Sequence, residues 1–259
     1  MRNYYYLSTA LPELQVGAPP DIEFPAFEIL LKENLSPRDY ATTKVWQRFY
    51  DIQNIRYFWR GEALDPRGGL DENELEEALV AREGLPDYVY EFMDDYDDVQ
   101  ERLEHFPALV GMFFSEESNR AQGFLKEYLE FERSWRLVFT GFRAKKLGRD
   151  LLVELQYEDP DDELVAQMLA QKDSKTYEPP EKYEELKAIF EEFGDAPLQL
   201  NKALSDYRFA HIEAMLGVDT FSFDRILGYM AQLFIVENYE KLDRKKGIEI
   251  VDTIVKEAT

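Results

Sequence analysis

The groups in this chain that could do chemistry are carboxylates and little else. Asp and Glu number 53 against 30 Lys and Arg, with two histidines and no cysteine. In FYDIQNIRYFWRG, Phe49 to Gly61, an acid (Asp51), an amide (Asn54), a base (Arg60) and a glycine interrupt a run that otherwise reads as buried helix. Such a set is either a polar site of its own or a piece of architecture used more than once.

Signatures of known chemistries are missing from the sequence. It contains no G-x-x-x-x-G-K-[ST], G-x-G-x-x-G or G-x-S-x-G, so neither a phosphate cradle nor a nucleophile elbow is supported. Neither His105 nor His211 has a glutamate three residues before it, which removes the Glu-x-x-His pairs of carboxylate-bridged di-iron bundles. His211 and Glu213, two apart, do not share a helix face. The segment LDPRGGLDENELEEALVARE has a calcium-loop rhythm, but Arg67 and Gly69 stand where an EF-hand needs oxygen ligands. It reads as a loop followed by a helix capped by Asp71, with Glu74 in the capping-box position. Two of the many carboxylates could fall at glycosidase separation by chance; a solvated acidic surface is the stronger reading. No catalytic residue, cofactor or metal ligand is therefore named.

The elements that would carry these residues are helices throughout. Ser36 and Pro37 open a long helix with Val45, Phe49, Ile52, Ile55 and Trp59 on one stripe, ended by Gly61. The acidic run DDYDD, Asp94 to Asp98, starts a helix or bends between two. A further long helix is expected from about Asn119 to Leu147, its core stripe being Tyr128, Phe131, Trp135, Phe139 and Phe142. Ser174 to Pro180 is the most linker-like stretch, and YYYL at the N-terminus is ambiguous between helix and strand. The last long helix is apolar nearly all round from Ile226 to Val236, which predicts central burial, and the spacing ends it at Gly247. No run of alternating strands occurs.

The opening pattern recurs. Asp51, Asn54, Arg60 and Gly61 have counterparts at equal offsets in Glu237, Glu240, Lys246 and Gly247. The middle helix ends in Lys146, Leu147 and Gly148, with the base one place early and Val138 where the acid would stand. Three amphipathic helices closing in a basic-glycine turn suggest a helical unit of roughly 90 residues used three times. Cations at these ends complement the helix dipole.

YYYLSTALPEL, DIQNIRYFWRG and FDRILGYMAQLFIVENYEKLDRKKG together resemble the C subunit of archaeal and bacterial V-type (A-type) ATPases, subunit d in eukaryotes, and in particular the shorter C-subunit-like proteins encoded with bacterial V-type ATPases. The resemblance runs the length of the chain. It implies an all-α, three-lobed, funnel-like protein, with lobes at 1–85, 86–175 and 176–259. The implied function is a non-catalytic central-stalk adaptor that seats the rotor shaft on the membrane proteolipid ring and transmits torque. The partners would be those shaft subunits and that ring, met through basic helix ends at Arg60, Arg143, Lys145, Lys146, Lys245 and Lys246. An alternative is a free-standing interaction or assembly factor for the same machine that never sits in the rotor; an enzyme of another type ranks third.

Charge bears on the partners. A net charge of −23 and an isoelectric point near 4.5 argue against nucleic acid, whose affinity comes from cations displacing counterions. They argue equally against direct lipid insertion. The absence of cysteine excludes disulfides and fits a reducing cytosol. The N-terminal MRNYYYLSTALPELQ lacks an apolar signal core, and Met230 to Val236 falls far short of the roughly 20 residues of a membrane span. A cytoplasmic protein, peripheral to the inner membrane through protein contacts, is expected.

Overall fold

The computed structural model describes residues 4–257, with side chains described through residue 242. The helices are α1 Tyr5–Ala10, α2 Phe24–Asn34, α3 Pro37–Arg60, α4 Glu72–Ala81, α5 Asp87–Asp95, α6 Val99–Glu104, α7 Phe106–Arg120, α8 Phe124–Leu147, α9 Leu151–Glu154, α10 Glu163–Leu169, α11 Glu184–Phe193, α12 Pro197–Met215 and α13 Phe223–Glu257. A 3₁₀ turn, Glu181–Tyr183, leads into α11. Among the described residues there is no strand, so the all-α class read from the periodicity holds, and YYYL enters helix α1.

The chain forms two compact units. Met1–Leu35 joins Glu185–Thr259, and Ser36–Glu184 makes the other. The second boundary falls inside a helix, a few residues beyond the linker-like stretch at Ser174 to Pro180.

In the unit built from both chain ends, α12 and α13 pack along one another and α1 and α2 close against them. Ile226, Leu227, Met230, Ala231 and the run Leu233 to Val236 are all buried, as their all-round apolar pattern requires. Gly228 permits the contact: a Cβ there would lie 2.5 Å from Leu216 Cδ1. The Phe24 ring packs tilted against that of Phe234, centroids 4.9 Å apart, and the Tyr4 N–H donates to the Phe221 carbonyl at 2.8 Å.

In the unit from Ser36 to Glu184, α3, α7 and α8 supply the core. Ile52, Ile55, Leu109, Phe113, Val138 and Phe142 are buried, and Trp46 of α3 stacks on Tyr128 of α8 at 5.5 Å. Of the α8 stripe, Tyr128, Phe139 and Phe142 are buried, while Phe131 and Trp135 are half-buried. A buried Glu117 on α7 is held by Arg48 of α3 through two hydrogen bonds, 2.7 and 3.1 Å, with the Tyr88 hydroxyl 3.4 Å away. Burial, reinforced by that carboxylate, pushes the Tyr88 hydroxyl well above its ordinary value.

Two expected boundaries are corrected. Asn119 belongs to the last turn of α7, and α8 begins only at Phe124, because Gly123 takes a left-handed φ of 58° that breaks the run. Gly247 does not end a helix: α13 continues to Glu257. A helical glycine costs only about 1 kcal/mol, too little to end a helix by itself.

Candidate functional site

Asp51 and Asn54 act together, on the chain's own backbone, while Gly61 only caps the end of α3. Asn54 is fully buried; its Oδ1 accepts from the Asp65 N–H at 2.7 Å and its Nδ2 donates to the Asp65 carbonyl at 3.0 Å. One turn earlier, Asp51 Oδ1 accepts from the N–H groups of Gly69 and Leu70 at 2.7 and 3.1 Å. Between these anchors, Arg67 is 3% exposed, forks onto Asp65 with contacts of 2.6 and 2.8 Å, and lies over the Tyr50 ring. Gly68 must be glycine, since a Cβ would stand 2.5 Å from Asn54 Nδ2 and 2.7 Å from Asp51 Oδ1. The arginine that excludes a calcium loop is thus the buried centre of a different one. Burial outweighs the two backbone hydrogen bonds and the attraction of Arg48 and Lys44, and raises the Asp51 carboxyl to about 6.

The clamp leads into α4, where Asp71 accepts from the Glu74 N–H at 2.9 Å and Glu74 accepts from the Asp71 N–H at 3.0 Å, the expected capping box complete. At the other recurrence, Glu237 Oε1 accepts at 2.6 Å from the Phe24 N–H, a first-turn donor of α2 that has no partner within the helix. Acids at the same offset therefore hold backbone donors of a distant segment in both places.

Of the basic helix-end residues, Arg60 is exposed with Glu62 3.9 Å away, and Arg143 and Lys146 are exposed on the last turns of α8. Lys145 is half-buried and donates to the carbonyls of Gln171 and Lys172 at 2.8 and 2.6 Å. Lys245 and Lys246 lie outside the residues whose side chains are described. A contact that sequence reasoning missed lies beside Lys145. The Tyr177 ring, 3% exposed, fills the space over Gly141, where a Cβ would meet it at 2.7 Å. The linker-like stretch is thus pinned at one aromatic, and Gln171 closes it further by bonding to both backbone groups of Glu178 at 2.9 Å. Only an unexplained glycine amid the α8 aromatics signalled it.

A cleft of about 1080 Å³ opens between α7, α8 and the segment from Gln156 to Gln167. Its Arg133 is fully engaged, by Glu158 at 2.6 and 3.0 Å and Asp162 at 2.9 Å. Burial alone would lower that guanidinium's pKa; the two carboxylates more than offset it. Burial likewise opposes ionisation of Asp162, yet backbone N–H groups of α10 and Arg133 hold its carboxyl below the ordinary range. Serines line the cleft without a histidine among the lining residues to activate them. His105 stacks on Tyr96 at 4.4 Å and bonds to the Tyr157 hydroxyl, and His211 Nδ1 lies 3.0 Å from the Tyr207 carbonyl. Among the described residues no three metal-ligating side chains converge, and no helix is long and apolar enough to cross a membrane.

Over residues 1–258 the chain matches the family described as "Protein of unknown function (DUF2764)". The chain belongs to this family. It is similar to a protein of Chlamydia muridarum, 30% identical across 99% of this chain and 98% of the relative. Similar likenesses extend to proteins of Chlamydia trachomatis serovar D, at 29%, and Chlamydia pneumoniae, at 30%, with the same coverage. All three are described as uncharacterized proteins. No solved structure matches the chain. The match spans both units of this DUF2764 chain, up to residue 258.

Proposed function

We propose that the protein is a non-catalytic adaptor of a V-type ATPase, lying between the rotor shaft and the membrane proteolipid ring and carrying torque from one to the other. The observation that carries this reading is where the polar groups go. Asp51, Asn54, Lys145 and Glu237 all brace backbone between sequence-distant segments, and helices of 24 residues or more run beside them. A part that transmits force needs long stiff elements cross-linked at their ends. The likeness of YYYLSTALPEL, DIQNIRYFWRG and FDRILGYMAQLFIVENYEKLDRKKG to the C subunit names the machine. The protein then works at the cytoplasmic face, held to the membrane through other proteins.

The test is a binding assay of the purified chain against the shaft subunits and, separately, the detergent-solubilised ring. Saturable binding to both is expected. Reversing Arg60, Lys146 and Lys246 together should weaken it while the circular dichroism spectrum stays helical. A folded helical protein that binds neither would overturn the proposal; binding to the assembling machine without residence in the finished one would make it an assembly factor.

A further inference from the structure

The turn that joins α8 to α9 carries three aliphatic side chains in the open: Leu147, Leu152 and Val153 are 57%, 48% and 59% exposed. They are held there by a fixed backbone. The Gly148 and Arg149 N–H groups close onto the carbonyls of Lys145 and Ala144 at 3.2 and 2.8 Å. Asp150 caps α9 by accepting from the Leu152 N–H at 2.9 Å, and Leu151, 1% exposed, anchors the far side. Arg149 pairs with Glu154 at 3.2 Å. Preorganised apolar groups lose little freedom when covered, which is how a small contact gains affinity.

The local charge has the opposite sign to that of the chain. From 143 to 154 there are four cations and two carboxylates, in a protein of net charge −23. An acidic partner is repelled by most of such a surface and admitted here, so repulsion elsewhere sharpens the choice of site. A flat anionic bilayer would present its charge to far more of the chain than one turn and is opposed on that ground.

We infer that this turn is a docking knuckle for an acidic amphipathic segment of a partner protein. The partner's apolar side chains cover Leu147, Leu152 and Val153, and its carboxylates meet Arg143, Lys146 and Arg149. The inference is independent of which machine the partner belongs to.

The probe is a fluorescein-labelled synthetic amphipathic helix with leucines on one face and glutamates on the other, titrated with the full chain and read by anisotropy. Saturable binding is expected, weakened at least tenfold by Leu147→Ser with Val153→Ser and abolished by Arg143→Glu with Lys146→Glu. Val80→Ser, at an exposed valine on α4, should leave it unchanged. Since the chain has no cysteine, Leu152→Cys accepts a single environment-sensitive dye, whose emission should shift blue as the peptide binds. All variants should keep the wild-type helical spectrum and melting temperature. No binding, or equal loss with Val80→Ser, would overturn the inference. So would a blue shift produced by phosphatidylserine vesicles or by added unlabelled chain but not by the peptide, since the occupant would then be lipid or a second copy. The peptide is neither shaft nor ring, so failure here leaves the adaptor assay to be decided on its own.

Discussion

Helices α3 and α8 are both 24 residues long and end in the same way. Gly61 and Gly148 share a φ of 65°, with ψ of 29° and 28°, and each closes the helix by the same pair of backbone bonds, three and five residues back. What differs is how each helix grips a neighbouring segment. Seven residues before the glycine, α3 has Asn54, which holds the Asp65 backbone through hydrogen bonds; α8 has Gly141, which admits the Tyr177 ring. Ten before it, α3 has the buried acid Asp51 and α8 the buried Val138. One clamp is polar and directional, the other a knob in a hole, and the same helix frame carries both.

Substitutions should separate the two clamps. The largest effect is expected for Tyr177→Ala, about 3–5 kcal/mol by chemical denaturation, from the lost aromatic and the cavity it leaves. Gly141→Ala should destabilise by about 1–3 kcal/mol by overpacking against Tyr177, yet turn neutral or stabilising in the Tyr177→Ala background, where the remaining crowding is the flexible end of Met168 at 3.0 Å and helix propensity favours alanine. A cycle without that reversal of sign would break the knob-in-hole account.

The polar clamp is sensitive to pH instead. The Asp51 carboxyl is raised in the folded state, so between pH about 4 and about 6 the folded chain holds a proton that the unfolded chain releases. Its contribution to stability is full below that window and lost as pH rises through it, about 3 kcal/mol in all. Asp51→Asn keeps an acceptor for Gly69 and Leu70 without the buried charge. Melting curves across pH should therefore lose that slope, with the variant the more stable above pH 6; an unchanged slope would assign the titration to another group. Asn54→Ala should cost about 2 kcal/mol at every pH, since it orphans a buried donor and acceptor. Smaller again, Lys145→Ala should cost about 1–2 kcal/mol through the two carbonyls it releases, while Arg60→Ala, beside an exposed Glu62, should change stability by less than about 0.5 kcal/mol.

Much of this frame was legible in the sequence, because local rules govern it. The apolar stripe of α3, its Ser36 cap, the Asp71 and Glu74 box and the burial of Ile226 to Val236 all arise from spacing within one element. The recurring acid and the amide beside its first occurrence were legible as architecture, although their targets were not. Ranking by acid position paired the first helix with the last, whereas the matching caps are those of the first and the middle, since a left-handed glycine depends on the residues after it. Lys145 reads as a dipole complement from sequence and serves as a clamp in the fold. Tyr177 looked like part of a linker. Both depend on contacts between segments far apart in the chain, and no local propensity encodes them.

The hydrogen bond from the Phe24 N–H to Glu237 spans 213 residues of chain. On a ribosome adding roughly 5–20 residues per second, the first two helices wait roughly 10–40 seconds for the carboxylate and the buried α13 face that complete their unit. The middle of the protein emerges whole in that interval and is free to fold first. Nascent α2, with Phe24, Phe27 and Leu31 uncovered, is therefore the segment a chaperone would meet, and a chain released before Glu237 is made would keep its middle unit and lose both its ends.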